Sequence, residues 1–167
     1  MIIVVEGCDN AGKTTLALDL AKRLRAVFLK VERPARGVDL MAFANLLEVA
    51  KSYSGIVVTD RHVAISEPIY GNIIRGGHSL KTEDLALARE RIDLVVYCRP
   101  PNARIFSTMA DREQMEGVIE QGESILCAYD DLFFTPGPRH TRYDYTTMTV
   151  DDLLQRIAPL FNPAQRS

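Results

Sequence analysis

Residues 7–15 read GCDNAGKTT and contain the spacing Gly-x4-Gly-Lys-Thr. An apolar run, residues 1–5 (MIIVV), comes directly before this segment, and a stretch rich in leucine and alanine follows it. The two glycines let the backbone turn with its N–H groups directed inward, where they can meet phosphate oxygens. A strand before such a loop and a helix after it place the loop at a helix N-terminus, which attracts anions. The segment therefore predicts a strand, a phosphate-binding loop and a helix in succession.

Individual residues of this loop have separate chemical roles. Lys13 is placed to reach the β- and γ-phosphates of a nucleotide, and the Thr14 hydroxyl is placed to contact Mg²⁺. The residues expected to bind the nucleotide are Gly7, Asn10, Ala11, Gly12, Lys13, Thr14 and Thr15.

Composition describes an ordinary globular protein. The chain has 167 residues, of which 47% are hydrophobic and 25% charged, which fits one domain with a buried core. The net charge of −2 gives no general attraction to nucleic acid, so a positive site must be local. No apolar run approaches the roughly 18 to 20 residues of a membrane span, so we expect a cytoplasmic protein without a membrane partner. Cys8, Cys98 and Cys127 lack metal-ligand spacing and predict buried, reduced thiols.

Short apolar runs alternate with longer amphipathic stretches along the chain. This alternation is typical of an α/β fold, and we predict a five-stranded parallel sheet with helices on both faces. We expect a single domain over residues 1–162, with a small lid near 104–117 and a flexible tail over 163–167. The predicted strands are residues 2–6, 27–31, 55–59, 93–98 and 143–146, all buried runs except the last. The predicted helices follow the phosphate loop and cover residues 82–91, 113–133 and 149–161.

A second group of polar residues, 59–62 (TDRH), ends the third predicted strand. Ligands of open parallel sheets sit at the carboxyl ends of the strands, so we expect Asp60 beside the phosphate loop. There its carboxylate can hold a water of the Mg²⁺ shell, and Arg61 can clamp an anionic acceptor or the transferred phosphoryl group. A surface ion pair at a strand end is the alternative. The next segment suits a pocket for a base, through Ser66, Glu67 and Tyr70.

Three arginines, Arg99, Arg104 and Arg112, follow the fourth predicted strand in a polar stretch. A mobile arginine that closes over the γ-phosphate would stabilise the transition state and exclude water. Each of them would also fit a solvated surface position. We expect at least one of the three to be functional.

These residues together resemble the thymidylate kinase family of P-loop nucleoside monophosphate kinases, in particular its short bacteriophage members. Residues 6–15 (EGCDNAGKTT) are similar to that family's form of the loop, and residues 32–34 (ERP) are similar to its Arg-Glu-Pro element. Residues 60–62 (DRH), with Ser66 and Tyr70, are similar to its Asp-Arg-Tyr stretch. Residues 111–113 (DRE), followed by Tyr129 and Leu132, resemble its lid and the helix after it.

The resemblance implies a P-loop kinase fold, ATP and Mg²⁺ as cofactors, and a possible homodimer. It also implies that Asp9 contacts the sugar 3′-hydroxyl of the acceptor and that Tyr70 lies near the base. The family's catalytic arginine comes from the loop or the lid; Asn10 occupies the loop position, which makes Arg112 the candidate, with Arg104 in reserve. The implied catalytic residues are Lys13, Asp60, Arg61 and Arg112, the metal-binding residues are Thr14 and Asp60, and the acceptor-binding residues are Asp9, Arg33, Arg61, Ser66, Glu67 and Tyr70.

Two departures from the family leave the acceptor open. Residues 35–54 form a shorter region than the family has, with only Arg36 and Lys51 to grip a monophosphate, and Gly71 replaces a glutamine. The leading expectation is transfer of the γ-phosphate of ATP to a pyrimidine deoxynucleoside monophosphate, either dTMP or a modified analogue.

Two alternatives accompany this expectation. One is a kinase that phosphorylates the hydroxymethyl group of 5-hydroxymethyluracil in phage DNA, and the other is a nucleotide-gated ATP-binding module. The DNA kinase would need an open basic groove, with binding that weakens as salt rises. The residues expected to line that groove are some of Arg75, Arg99, Arg139, His140 and Arg142.

Overall fold

Five parallel strands alternate with helices along the chain in the computed structural model, which describes residues 1–30, 39–107, 116–134 and 139–161. The strands are β1 (Ile2–Glu6), β2 (Val27–Lys30), β3 (Val57–Asp60), β4 (Leu94–Cys98) and β5 (His140–Tyr143). The helices are α1 (Lys13–Leu24), α2 (Leu40–Ser54), α3 (Val63–Arg75), α4 (Thr82–Glu90), α5 (Asn102–Ser107), α6 (Gly122–Phe134) and α7 (Val150–Ile157), which continues as a 3₁₀ turn (Ala158–Phe161).

The strands form one sheet in the order β2-β3-β1-β4-β5, and all neighbouring strands are parallel. The register pairs Val5 of β1 with Asp60 of β3 and with Val96 of β4. Because the phosphate loop begins two residues after Val5, its start lies beside the end of β3. The predicted position of Asp60 next to the loop is therefore confirmed.

Helices cover both faces of the sheet. Helices α1 and α7 pack against each other, whereas α2, α3, α4 and α6 form a separate group of mutual contacts. The α1 side chains of Leu16, Ala17, Leu20 and Ala21 are buried in the core, and Leu24 is partly buried against it. The predicted α/β class is confirmed, as is the five-stranded parallel sheet with helices on both faces. Among the described helices, none is long and apolar enough to cross a bilayer.

Several predicted details are wrong. Strand β2 is only partly buried, with Val27 37% exposed, because it forms an edge of the sheet. Strand β5 lies upstream of its predicted position, since Asp144 begins a turn in which its Oδ1 accepts a hydrogen bond from the backbone N–H of Thr146 at 2.9 Å. Helix α6 starts at Gly122, after a turn that contains Gly117 with φ +82°. Cys127 is exposed, unlike the buried Cys8 and Cys98.

Other predicted details hold, and some fall outside the described residues. Helix α4 begins at Thr82 as predicted. The predicted last helix is present as α7, which begins with a capping box formed by Thr149 and Asp152. Most of the predicted lid and the tail over 163–167 lie outside the described residues.

Helices α2, α3 and α5 were not predicted from the sequence, and the first two of them flank β3. Asp39 caps α2, where its Oδ1 accepts hydrogen bonds from two backbone N–H groups at 3.0 Å. Helix α3 contains Pro68, which has no N–H to donate to the carbonyl of Ala64 four residues earlier. Arg89 of α4 donates its Nε–H to that carbonyl at 2.9 Å instead. A long-range side chain thus replaces the hydrogen bond that the proline removes.

His62 gives the fold a pH dependence. Its ring is fully buried against Phe43, and its Nδ1 accepts a hydrogen bond from the N–H of Ala64 at 3.1 Å as the cap of α3. Burial and the charge of Arg89 lower the pKa of His62 to about 4. Below pH 6.5 His62 binds a proton in the unfolded chain but stays neutral in the folded chain. The free energy of unfolding therefore falls as the pH decreases. We expect the free energy of unfolding to drop by on the order of 3 kcal/mol between pH 6.5 and 4.

Denaturant unfolding at a series of pH values measures this loss. The control is His62→Asn, whose side-chain oxygen can still cap the helix but does not titrate. The variant should have a flatter pH profile in this range. A profile as steep as that of the parent protein would contradict the assignment to His62.

Candidate functional site

The phosphate loop joins β1 to the N-terminus of α1. Lys13 is the first residue of α1 and is buried, and its Nζ donates a hydrogen bond to the Cys8 carbonyl at 2.6 Å. Asn10 has a left-handed backbone with φ +62°, and its amide Nδ2 is buried and unpartnered among the described residues. The loop thus sets a buried ammonium at a helix N-terminus, which is a site for phosphate oxygens.

A hydroxyl and a carboxylate meet at the entrance of α1. Thr14 Oγ1 donates a hydrogen bond to Asp60 Oδ2 at 2.5 Å. Mg²⁺ prefers oxygen ligands and usually binds one or two protein groups together with substrate phosphates and water. This oxygen pair beside a phosphate loop fits Mg²⁺. The described residues contain no group of three or more His, Cys, Asp or Glu that could hold a metal ion by itself.

Arg61 forms the centre of the site. Its left-handed backbone, with φ +72°, follows directly after β3. Its Nη2 donates hydrogen bonds to Asp9 Oδ1 at 2.6 Å and to the Tyr70 hydroxyl at 3.1 Å, and its Nη1 donates to the Tyr129 hydroxyl at 3.1 Å. The guanidinium carbon also lies 4.9 Å from the centre of the Tyr70 ring. One cation therefore joins the phosphate loop, α3 and α6.

Glu6 lies beneath this cation at the end of β1 and is fully buried. Its Oε1 accepts a hydrogen bond from the backbone N–H of His62 at 2.7 Å. Its Oε2 accepts one from the Tyr129 hydroxyl at 2.9 Å and a longer one from the N–H of Gly7 at 3.3 Å. Sequence reasoning did not assign Glu6 a role, although a charged residue that ends an apolar strand was the available signal.

Charges in the site shift one another's pKa values. Burial opposes the charge of Arg61, but the adjacent tyrosine oxygens, Asp9 and Glu6 outweigh it and hold its pKa well above the ordinary value. Burial also opposes ionisation of Asp9, which Arg61 and Lys13 overcome, so its pKa is lowered. Burial raises the pKa of Glu6 and lowers that of Lys13. The site thus holds two cations close to carboxylates.

The remaining predicted site residues lie on α3, on α5 or outside the described part of the chain. Ser66 is buried, and its hydroxyl donates to the His62 carbonyl at 3.1 Å; Glu67 forms an ion pair with Arg75. Arg104 lies on α5. The predicted acceptor residue Arg33 and the predicted lid residue Arg112 lie outside the described residues.

Tyr145 is a neighbour of the loop that the sequence did not reveal. It lies in the turn between β5 and α7 and is 43% exposed. Its ring carbons come within 3.4 Å of the place that a Cβ on Gly12 would occupy. The turn that carries Tyr145 is held by the side chain and the carbonyl of Asp144. An exposed aromatic ring therefore borders the N-terminus of α1.

Gly7 offers a direct test of the loop geometry. Its φ is +144°, and a Cβ at this position would lie 2.5 Å from the Cys98 carbonyl oxygen of β4. That oxygen belongs to the backbone of a central strand and has little room to move. We expect Gly7→Ala to lower the free energy of unfolding by about 3 kcal/mol, from backbone strain and overpacking together. Thermal or denaturant unfolding measures the change.

The control is Gly77→Ala, at a glycine whose φ of +154° is similar to that of Gly7 and which has no atom within 4 Å of the added Cβ. This variant carries the backbone strain without the clash and should lose only about 1 kcal/mol. Equal losses in the two variants would show that the approach of Cys98 is unimportant.

Gly71, which follows Tyr70 on α3, is required by close packing. A Cβ at Gly71 would lie 2.9 Å from the His78 Cβ and 3.0 Å from the Gly77 carbonyl oxygen. The Gly71 carbonyl accepts a hydrogen bond from the N–H of Gly77 at 2.9 Å, which folds the chain back at the end of α3. The close turn between α3 and α4 thus requires a residue without a side chain.

The sheet order, the phosphate loop and the carboxylate at the end of β3 together define a P-loop kinase fold of the α/β class. The YorR protein from Bacillus subtilis, solved with phosphorylated GDP, is 21% identical with a TM-score of 0.72, over 96% of this chain and 95% of that chain. Deoxyadenosine kinase from M. mycoides, solved with its products dCMP and dCDP, is 18% identical with a TM-score of 0.61, over 95% and 97%. Thymidylate kinase from Candida albicans is 13% identical with a TM-score of 0.54, over 95% and 89%.

At these identities the similarity shows a shared fold. No protein-family model and no curated protein sequence matches the chain.

Proposed function

We propose that this protein transfers the γ-phosphoryl group of ATP to a pyrimidine deoxynucleoside monophosphate, with dTMP or a modified analogue as the acceptor. The observation that carries the proposal is the position of Arg61. Its guanidinium is held beside the phosphate loop by Asp9, Tyr70 and Tyr129, which is where an anionic acceptor would meet the donor. The names of two neighbours, a deoxyadenosine kinase and a thymidylate kinase, support this class of reaction.

Positioning and charge stabilisation account for the proposed reaction. Lys13 and the loop N–H groups would bind the β- and γ-phosphates, and Thr14 with Asp60 would hold Mg²⁺, which neutralises phosphate charge when bound. Among the described residues, Arg61 has no partner for its Nε–H and one Nη1–H, which leaves two donors for acceptor oxygens. Asp9 would contact the acceptor sugar.

Residues outside the described part of the chain complete the proposal. Arg33 would add to the grip on the acceptor, and Arg112 would close over the transferred group, as the resemblance implies.

The DNA-kinase alternative rests on a basic groove. Of the described candidates for that groove, Arg142 contacts the Arg99 carbonyl at 3.4 Å, whereas Arg75 lies on α3 and Arg139 precedes β5. Arg99 is held by Asp130 through Nε and Nη2, with hydrogen bonds of 2.9 to 3.1 Å. Arg75 pairs with Glu67. The carbonyl of Arg139 bonds to the N–H of Val95 near the amino end of β4, at the opposite end of the sheet from the phosphate loop. These positions favour a free nucleotide as the acceptor.

The experiment follows γ-phosphate transfer from labelled ATP in parallel reactions with each deoxynucleoside, each deoxynucleoside monophosphate, and a duplex that contains 5-hydroxymethyluracil. Label on dTMP or another pyrimidine monophosphate is the expected result. Label on a deoxynucleoside would replace the proposed acceptor by an unphosphorylated sugar, and label on the duplex alone would establish the DNA kinase. Steady hydrolysis without any labelled acceptor would favour the nucleotide-gated module.

A further inference from the structure

Two buried side chains, those of Glu6 and Tyr129, connect the core to Arg61. Glu6 accepts a hydrogen bond from the Tyr129 hydroxyl, and the same hydroxyl oxygen accepts one from Arg61 Nη1. Both Glu6 and Tyr129 are 0% exposed, so water does not compete for either contact. Tyr129 lies on α6, whereas Glu6 ends β1 and Arg61 follows the neighbouring strand β3, so these contacts also join α6 to the sheet.

The direction of these hydrogen bonds follows from proton counting. A tyrosine hydroxyl has one hydrogen to donate, and Arg61 has only donors. The hydrogen of Tyr129 must therefore point to the Glu6 carboxylate, and its oxygen lone pairs must face the guanidinium. Burial raises the pKa of Tyr129, with the Glu6 charge adding to it, so the hydroxyl keeps its hydrogen. Tyr129 is thus fixed as an acceptor toward Arg61.

A similar arrangement lies on the other side of the guanidinium. The Tyr70 hydroxyl donates to Asp9 Oδ2 at 2.8 Å and accepts from Arg61 Nη2. The two sides differ, because Asp9 also contacts Arg61 directly while Glu6 acts only through Tyr129. If Asp9 contacts the acceptor sugar, as proposed, Tyr129 is the contact that remains dedicated to holding Arg61.

We propose that Tyr129 is a positioning residue: with its hydrogen taken by Glu6, its hydroxyl oxygen fixes Nη1 of Arg61 so that the remaining donors face the phosphate of the acceptor. This inference rests on the proposed function, in which Arg61 binds that phosphate. Tyr129 itself does not contact the reacting atoms. Its contribution is a restricted orientation of the Arg61 side chain before the acceptor binds, which lowers the entropic cost of binding.

The test is Tyr129→Phe, which removes one oxygen and leaves the ring in place. We expect kcat/KM for the acceptor to fall about tenfold, which corresponds to the loss of one hydrogen bond to a charged group, while KM for ATP stays within about twofold. Steady-state kinetics with each substrate varied in turn measure the two effects separately.

Tyr97→Phe is the matched control. The Tyr97 ring stacks on Tyr129 with centroids 6.0 Å apart, and its hydroxyl donates to Asp130 at 2.7 Å. The control therefore removes a hydroxyl from the same aromatic cluster without touching Arg61. Its acceptor kcat/KM should remain within about twofold of the parent enzyme. Equal losses in Tyr97→Phe and Tyr129→Phe would reduce Tyr129 to a structural role and overturn the inference.

A double-mutant cycle with Arg61→Lys separates this inference from the proposed function. If Tyr129 acts through Arg61, Tyr129→Phe should cost little further activity once Arg61 is lysine. Additive losses would overturn the positioning role and leave the proposed role of Arg61 intact. Unchanged acceptor kinetics in Arg61→Lys alone would overturn both.

Glu6→Gln provides a second route if Tyr129→Phe does not fold. This substitution removes the negative charge that accepts the hydrogen bond from Tyr129, but it keeps the Tyr129 hydroxyl. We expect the same selective loss in acceptor kcat/KM. A loss shared equally by ATP and the acceptor would contradict the inference.

Discussion

Lys13→Met should abolish measurable phosphoryl transfer, with kcat reduced at least about 100-fold, while the fold remains intact. The side chain of Lys13 is buried, and its ammonium lies 2.6 Å from the Cys8 carbonyl oxygen, at the N-terminus of α1. Methionine keeps most of the volume of the lysine stem but supplies no charge to the β- and γ-phosphates. Radiolabel transfer under saturating substrates measures the loss of kcat.

Stability is the second readout for this variant. The Cys8 carbonyl loses its partner, which costs roughly 1 to 3 kcal/mol, but the fold no longer has to bury a charge, which offsets part of that cost. Lys22→Met, on an exposed turn of the same helix, is the control and should change neither activity nor stability noticeably. Turnover retained in Lys13→Met would reject the phosphate-loop assignment, whereas an unfolded variant would require Lys13→Arg in its place.

The sequence predicted those parts of the fold that depend on local pattern. Strand β1 has the predicted bounds, and the phosphate loop follows it, because an apolar run and two glycines specify this geometry within ten residues. The parallel order of the sheet then places Asp60 beside the loop. What could not be predicted depends on contacts between distant residues. Helix α3 contains Pro68, and its compensating partner Arg89 lies 25 residues from the carbonyl that it bonds.

The candidate site likewise contains residues that a local motif predicts and residues that meet only in the folded chain. Residues of the loop motif, such as Lys13 and Thr14, were assigned correctly to the loop and the start of α1. The buried carboxylate of Glu6 and the hydroxyl of Tyr129 come from positions 123 residues apart and meet only in the folded chain. No spacing in the sequence signals such a pair. Likewise, the sequence predicted an anion clamp at Arg61 but not the three elements that hold it.

Arg61→Ala should have the other large effect, a loss of at least about 100-fold in kcat/KM for the acceptor. The guanidinium supplies two donors to an incoming phosphate, and alanine supplies none. The substitution also removes the cation beside Asp9 and beside the buried Glu6–Tyr129 pair. Because the Arg61 and Asp9 side chains are 19% and 27% exposed, we expect the free energy of unfolding to fall by only about 2 kcal/mol.

Arg61→Lys distinguishes charge from geometry. Lysine keeps one positive charge, but its ammonium cannot contact Asp9, both tyrosines and a phosphate in the fixed directions of a guanidinium. We therefore expect stability close to that of the parent protein and acceptor kcat/KM still reduced about tenfold or more, with the ATP affinity unchanged. Full activity in Arg61→Lys would show that charge alone suffices.

Arg89→Ala is the matched control for Arg61→Ala. Arg89 is partly buried like Arg61, but it lies on α4 and bonds the carbonyl of Ala64 on α3. Its replacement should lower stability through the unsatisfied carbonyl that Pro68 leaves, by roughly 1 to 3 kcal/mol, without a selective change in acceptor kinetics. A selective loss of acceptor kcat/KM in the Arg61 variants, together with a loss of stability alone in the Arg89 variant, would place the acceptor phosphate at Arg61. If both arginines affected stability alone, the acceptor would have to bind elsewhere along the carboxyl edge of the sheet.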